Sequence, residues 1–189
     1  MSGTYKTEGI VLKRRNFSEA DKILTIYSKH YGKIRAVAKG VRKLKSRKAG
    51  NLELFNHCQL VLTKGRNLDI ISEVQAINTF RRWRKNLIKV GVAYYFCELV
   101  DRLTPDEQAN KAVFELLRSF LEKMDTASLP NLVRSFEEHL LDELGFGVPP
   151  ELKNRQESLK SYIESIIEKE IHSPKFLLNE KKLDILSLW

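Results

Sequence analysis

The chain has 189 residues, 42% of them hydrophobic and 9% aromatic, with 33 Lys and Arg against 24 Asp and Glu for a net charge of +9. That apolar content supports a packed core in one or two domains and excludes a disordered polyelectrolyte, and no apolar run reaches the roughly 18 residues a bilayer span needs. Cys58 and Cys97 alone build no disulfide framework and "MSGTYKTEGIVLKRRN" holds no apolar leader core, so a reducing, cytoplasmic setting without membrane attachment is expected.

Residues 1–79 read as short strands. In "GIVLKRR", Ile10 and Leu12 alternate with Val11, Lys13 and Arg15, the period of two that a strand imposes. "FSEAD" is a polar break, and "KILTIYSK" supplies β-branched and aromatic residues without helical spacing. The glycine of "KHYGK" suits a hairpin turn. "KIRAVAK" alternates again, with Ile34, Ala36 and Ala38 on one face and Arg35, Val37 and Lys39 on the other. After a long basic connection, "LELFNHCQLVLTKG" and "LDIISEVQAI" flank the turn-like "KGRN". Five strands result, and a small closed barrel is the economical way to hide the edges of so short a sheet.

The period changes at Phe80, and residues 80–189 read as helices. "FRRWRKNLIKVGVAYYFCELVDRL" predicts a helix whose apolar stripe is Leu87, Val90, Tyr94, Cys97 and Val100, broken by Pro105 and Asp106. "DEQANKAVFELLRSFLEKM" and "LPNLVRSFEEHLLDELG" predict two more, the second ending on a glycine cap at Gly145. "VPPELKN" is a proline break. "ESLKSYIESIIEKEI" then places Leu159, Tyr162, Ile163, Ile166 and Ile167 on one side, and "KKLDILSLW" adds a last short turn. The fold class is therefore α+β, a five-stranded barrel followed by an all-helical part.

Charge divides the chain in the same way. Residues 1–89 carry 21 Lys and Arg against six Asp and Glu, a balance of +15, whereas residues 90–189 carry 12 against 18, a balance of −6. Between Arg35 and Lys48 lie seven cations (Arg35, Lys39, Arg42, Lys43, Lys45, Arg47 and Lys48) and no acid. Ordinary surface loops mix signs, and a membrane-inserting patch interleaves large apolar residues, so a polynucleotide backbone is the partner such a run suits best. Arg35 and Lys39 carry the charge from strand into loop, Lys13 and Arg15 repeat it on the first strand, and Gly40 and Gly50 bound the segment. Neutralising about five phosphates would give a salt slope near −3.5 on single strands and little preference among sequences. Phe17, Tyr27, Tyr31 and Phe55 are the aromatics near enough to stack on bases, with Phe17 and Tyr31 the candidates for exposure.

Catalytic patterns are missing. There is no phosphate-cradling G-x-x-x-x-G-K-[ST], "LGFGVPP" follows a helix rather than a strand, and "EEHLLDE" around His139 is not H-E-x-x-H. Two distant cysteines, one beside His57, make no four-ligand metal site. The basic half also lacks the acidic cluster of a metal-ion nuclease. The chain reads as a binder, not an enzyme, with no cofactor and no metal.

The residues "E-G-I-V-L", "S-E-A-D-K-I", "Y-G-K-I-R-A-V-A-K-G-V-R", the following "K-S-R" and "T-K-G-R-N-L" resemble the amino-terminal domain of the RecO family of bacterial DNA repair proteins. "E-L-G-F" and "H-S-P-K-F-L" extend the likeness more loosely into the second half. The resemblance implies an oligonucleotide/oligosaccharide-binding (OB) barrel over residues 1–79 and a helical, partner-binding domain over 80–189. It also implies a nucleoid-associated recombination mediator that binds single- and double-stranded DNA, anneals complementary strands and assists loading of RecA. RecR and the acidic tail of the single-strand-binding protein are its implied partners. Carried over by position, the DNA-binding face comprises Arg35, Lys39, Arg42, Lys43, Lys45 and Arg47, flanked by Lys13, Arg14, Lys64 and Arg66. Lys48 and Arg15 extend the same cationic run. An apolar groove rimmed by Arg81, Arg82, Arg84 or Arg102 is the expected seat of the acidic tail. Many relatives of this family carry a four-cysteine zinc motif after "L-G-F", but "GVPPELKNRQESLKSY" has no cysteine, so no zinc and a short helical domain are expected here. An RNA-binding accessory protein built on the same barrel is the alternative, since 2′-hydroxyl recognition leaves no sequence signature.

Overall fold

A computed structural model describes residues 3–153 and 159–167. Five strands, β1 (Thr4–Phe17), β2 (Asp21–Ser28), β3 (Gly32–Ala38), β4 (His57–Thr63) and β5 (Asp69–Asn78), close into a barrel in the order β1-β2-β3-β5-β4. Neighbours are antiparallel except β3 and β5, which pair parallel through Ala36–Asp69 and Val37–Ile70. Val11, Leu24, Ile26, Ile34, Ala36, Leu60, Leu62 and Ile71 fill the interior, joined by Val41 and Leu52 from the β3–β4 connection. Closure leaves no long edge to template aggregation.

One expectation for β1 needs correction. Lys13 and Arg15 do not share a face with Val11. The register against β2 runs Val11–Ile26 and then Lys13–Thr25, so one residue of β1 is bulged out at Leu12. A bulge restarts the alternation. Val11 therefore points into the barrel while Leu12, Lys13 and Arg15 face outward.

The helical part is built from α1 (Leu87–Leu103), α2 (Lys111–Lys123), α3 (Leu129–Glu143), a single turn α4 (Pro150–Lys153) and α5 (Lys160–Ile167). The first helix starts seven residues later than Phe80: residues 80–86 are turns around a short 3-10 stretch, Trp83–Lys85, and the Asn86 side chain caps α1 by accepting from the N–H groups of Ile88 and Lys89. The predicted stripe holds in part, with Val90, Cys97 and Val100 in or against the core. Leu87 and Tyr94 are exposed, and the buried face runs through Val92, Ala93, Phe96, Leu99, Val100 and Leu103. This helix is apolar on nearly every side, so spacing alone does not select the face that packs. The third helix ends as expected, with Gly145 at φ 81°. Leu159 and Ile163 are buried, with Tyr162, Ile166 and Ile167 against the same core. "KKLDILSLW" lies outside the described residues.

Barrel and helices share a core. Ile10, Leu12, Tyr27 and Phe55 from the barrel side belong to one buried cluster with Trp83, Phe96, Val100, Phe114, Phe136 and Ile163. The outer surface of β1 and β2 is thus covered at one end by helices and open at the other.

Candidate nucleic-acid interface

The strand registers arrange the outward side chains of β1, β2 and β3 in rows. Ile10, Tyr27 and Lys33 form the first, Lys13, Thr25 and Arg35 the second, and Arg15, Ile23 and Val37 the third. Phe17 and Asp21 begin the fourth, and Lys39 continues the parity of β3 onto it. The strand cations expected to line up therefore do share one sheet face.

Their charge is not equally available. In the first row Lys33 is buried, its Nζ donating to the carbonyl oxygens of Asp101 and Thr104 and lying 3.2 Å from Asp106 Oδ1. In the second, Lys13 is paired with Asp101 and Arg35 with Asp106 at 2.9 Å. Both acids come from α1 and the α1–α2 connection, so the helical part neutralises the inner end of the track. Arg14 turns toward the barrel mouth and pairs with Glu53. Arg15, Lys39, Lys43, Lys45 and Arg47 are exposed and have no carboxylate partner among the described residues.

The β3–β4 connection is held at its base while its tip stays open. Gly40 takes φ 66°, a torsion that favours glycine, and its N–H donates to Asp21 Oδ1 at 2.7 Å. Arg42 donates through its backbone N–H to Ala20 O (2.9 Å) and through Nη1 to Ser18 O (3.4 Å), which sets the loop against the β1–β2 turn beside Phe17. Farther along, Lys48 Nζ donates to Ile71 O at 2.7 Å. Asn51 accepts from Ala76 N–H at 3.0 Å, and Asn56 donates to the carbonyls of Gly50 and Asn51. Between these anchors Lys43, Leu44 and Lys45 project into solvent.

The aromatics separate. Tyr27 and Phe55, two of the four stacking candidates, are core residues. Phe17, 48% exposed, stands at the free cationic end. Tyr31 is exposed but lies at the far end of β2, its ring 4.4 Å from that of Tyr5. Lys64 sits beside that pair, over the Tyr5 ring and 3.2 Å from Asp69, while Arg66 is exposed in the same β4–β5 turn. Lys64 and Arg66 share a polar cleft of about 290 Å³ with Lys33, Arg35 and Asp106.

The four arginines expected around one groove do not meet. Arg84 is half-buried and engaged by the fold, a correction to its expected role: its guanidinium donates to Thr79 O, Leu54 O and Asn56 Oδ1 and lies over Phe55 and Trp83. Burial lowers its pKa from the ordinary value, against the opposing pull of Glu53. Arg81 and Arg82 are exposed and border a cleft of about 330 Å³ with Phe80, Glu122 and Asp125. Arg102 is paired with Glu98 at 2.9 Å on α1, beside a separate groove against β1. Sequence reading missed Asp101 and Asp106, because nothing local announces a partner some seventy residues away.

Cys58 and Cys97 are both buried, and burial pushes the Cys58 thiol up to about 12 and Cys97 higher still. No group of three or more His, Cys, Asp or Glu is gathered for a metal among the described residues. No helix among them is long and apolar enough to cross a membrane.

A five-stranded closed barrel of the OB type, with helices packed on one end of its outer face and unpaired cations at the other, is the class of protein defined here. Residues 1–80 match the family described as Recombination protein O N terminal, and residues 84–154 match Recombination protein O C terminal. The chain belongs to the recombination protein O family. Curated proteins named DNA repair protein RecO are similar to it. That of Roseiflexus sp. (strain RS-1) is 43% identical over 143 residues, covering 75% of this chain and 50% of the relative. Those of Symbiobacterium thermophilum and Dehalococcoides mccartyi (strain 195) are 41% and 38% identical over 145 and 150 residues, covering 75% and 79% of this chain and 57% and 58% of the relatives. The chain spans little more than half the length of these relatives.

Proposed function

We propose that this chain is a non-enzymatic DNA-binding mediator of recombinational repair. The observation that carries the reading is the open end of the barrel, where Arg15, Lys39, Arg42, Lys43, Lys45 and Arg47 lack carboxylate partners among the described residues. Lys48, tied to Ile71 O, adds its charge at the base of the loop. Such a cluster attracts phosphates and releases their counterions. Holding two backbones on one cationic end offsets their mutual repulsion, which is what annealing of complementary strands requires.

The partners in this reading are single- and double-stranded DNA, RecR, and the acidic tail of the single-strand-binding protein, with RecA loaded downstream. Among the described residues, Arg81 and Arg82 are the exposed arginines of the helical half that would meet the acidic tail. Lys64 and Arg66 flank Arg35 from the β4–β5 turn and extend the footprint.

The test is a combined Lys43→Glu, Lys45→Glu and Arg47→Glu variant. It should lose annealing of naked complementary oligonucleotides and flatten the salt dependence of single-strand binding. Annealing at the wild-type rate would refute the mechanism, and preference for RNA over a matched DNA oligomer would favour the RNA-binding alternative.

A further inference from the structure

We propose that the groove between β1 and α1 receives the bases of a single strand, with Tyr94 as the stacking platform. The inference rests on the polyanion reading above and specifies where bases, as distinct from phosphates, are bound.

The groove has a volume of about 700 Å³. Leu12, Ile23 and Leu54 give it an apolar lining, Tyr94 stands on its α1 side, and Lys13, Arg14, Arg15 and Arg102 also line it, with Glu98 the one acid among the described residues. Tyr94 is 43% exposed, yet its ring is fixed: it meets Phe55 in a T-shaped contact at 4.9 Å, and Phe55 leans on buried Trp83 at 5.7 Å. Its hydroxyl makes no hydrogen bond among the described residues. A rigid, half-exposed aromatic over an apolar floor rewards a flat π-face.

Position selects the occupant. Lys13, Arg15 and Phe17 leave β1 on its outer face at steps of about 6.7 Å. They form a line from the open loop end into the groove, so a backbone gripped by Arg42 and Lys43 continues past Arg15 with its bases turned to the apolar floor. Arg15 has no partner among the described residues. Lys13 and Glu53 are the exposed members of the pairs Lys13–Asp101 and Arg14–Glu53, so Lys13 and Arg14 can turn to a phosphate at little cost, whereas Arg102 stays with Glu98 on α1. A duplex hides its bases from such a floor. The ligand is therefore single-stranded.

Tyr94→Ala and Tyr94→Phe in the full chain test this, with a fluorescent oligo-dT and a matched duplex titrated across salt concentrations. Tyr94→Ala should weaken single-strand binding by about five- to a hundredfold. It should leave duplex affinity unaltered and the salt slope intact, because no cation is lost. Tyr94→Phe should bind like the wild type. A 5-iodouracil oligomer irradiated with the unaltered chain should crosslink to the segment containing Tyr94, a readout independent of how any variant folds. Single-strand affinity of Tyr94→Ala within twofold of wild type, with no crosslink on α1, would overturn the proposal while leaving the cationic end standing. Loss of an acidic peptide's binding in Tyr94→Ala, with strand binding untouched, would assign the groove to a peptide and overturn it as well. Failure of the wild-type chain to bind any single strand would remove both readings together.

Discussion

Arg35 Nη2 lies 2.9 Å from Asp106 Oδ2, joining the cationic face of the barrel to the connection between α1 and α2. The acid that neutralises this arginine belongs to the helical half, so the helical half competes with phosphate for a guanidinium of the barrel. Both side chains are substantially exposed, and such a pair contributes little to stability.

Asp106→Asn should therefore strengthen DNA binding rather than weaken it. Releasing Arg35 adds one cation to the footprint, which should steepen the single-strand salt slope by about 0.7. Lys33 keeps Asp101 and two carbonyl acceptors, so the junction should hold. Anisotropy titrations between low and moderate salt would decide it. An unaltered slope would mean that Arg35 takes no part in binding.

Phe17 and Tyr31 are matched in chemistry and opposed in place. Phe17 stands beside the β1–β2 turn to which Arg42 of the β3–β4 connection donates, whereas Tyr31 packs on Tyr5 at the other end of β2. Phe17→Ala should weaken single-strand affinity by about 1–3 kcal/mol with the salt slope preserved, as loss of one stacked base would. Tyr31→Ala should leave affinity near the wild-type value. Equal losses from both would place the strand across both barrel ends.

Arg84 is the clearest case of a charged residue serving the fold. Removing its guanidinium leaves Leu54 O, Thr79 O and Asn56 Oδ1 without this donor and takes a cation from the faces of Phe55 and Trp83. Arg84→Ala should cost about 1–3 kcal/mol, which lowers the melting temperature by roughly 2–4 °C per kcal/mol in a chain of this size. Arg84→Lys should rescue little, since one ammonium cannot reproduce a planar fork of donors. Scanning calorimetry measures both, and a fully stable Arg84→Ala would contradict the clamp.

The legible parts of the fold were those with a local signal. Alternation in "KIRAVAK" separates Ile34, Ala36 and Ala38 inside from Arg35 outside, and the change of period near Phe80 falls just past the end of β5 at Asn78. The bulge at Leu12 has no such mark, because an apolar residue there is equally at home facing in or out. In "RRWRK", Arg81, Arg82 and Arg84 look alike; Arg84 alone is drawn inward, by carbonyls that only the closed barrel brings near. The basic loop was visible as composition, but its division into open and neutralised charge depends on Asp101 and Asp106. Those contacts are tertiary, and no spacing in the first hundred residues encodes them.

His57 links the barrel to α2 and makes stability depend on pH. It is buried, its Nε2 lies 3.0 Å from Glu8 Oε2, and its ring meets Phe114 edge-on at 5.7 Å. Lys29, bridging Glu8 and Glu115, and the Arg118 and Glu122 charges on α2 complete its surroundings. Burial lowers the His57 pKa below its ordinary 6.5, outweighing the opposing pull of Glu8. Burial raises Glu8, but the hydrogen bonds and charges of His57 and Lys29 outweigh it and hold the carboxyl below its ordinary 4.5. Both shifts act in the same direction. The unfolded chain binds protons that the native state resists, so stability rises with pH wherever the two states differ. The His57 contribution is complete above 6.5 and declines as pH falls toward its lower native value, and that of Glu8 follows below 4.5. Urea unfolding at pH 7.5 and 5.5 should therefore show a less stable protein at the lower pH. His57→Gln keeps a donor for Glu8 but removes the titrating ring, and it should flatten the difference between those two conditions. A wild-type chain equally stable at both pH values, or an undiminished difference in His57→Gln, would show that this buried histidine does not set the acid limit.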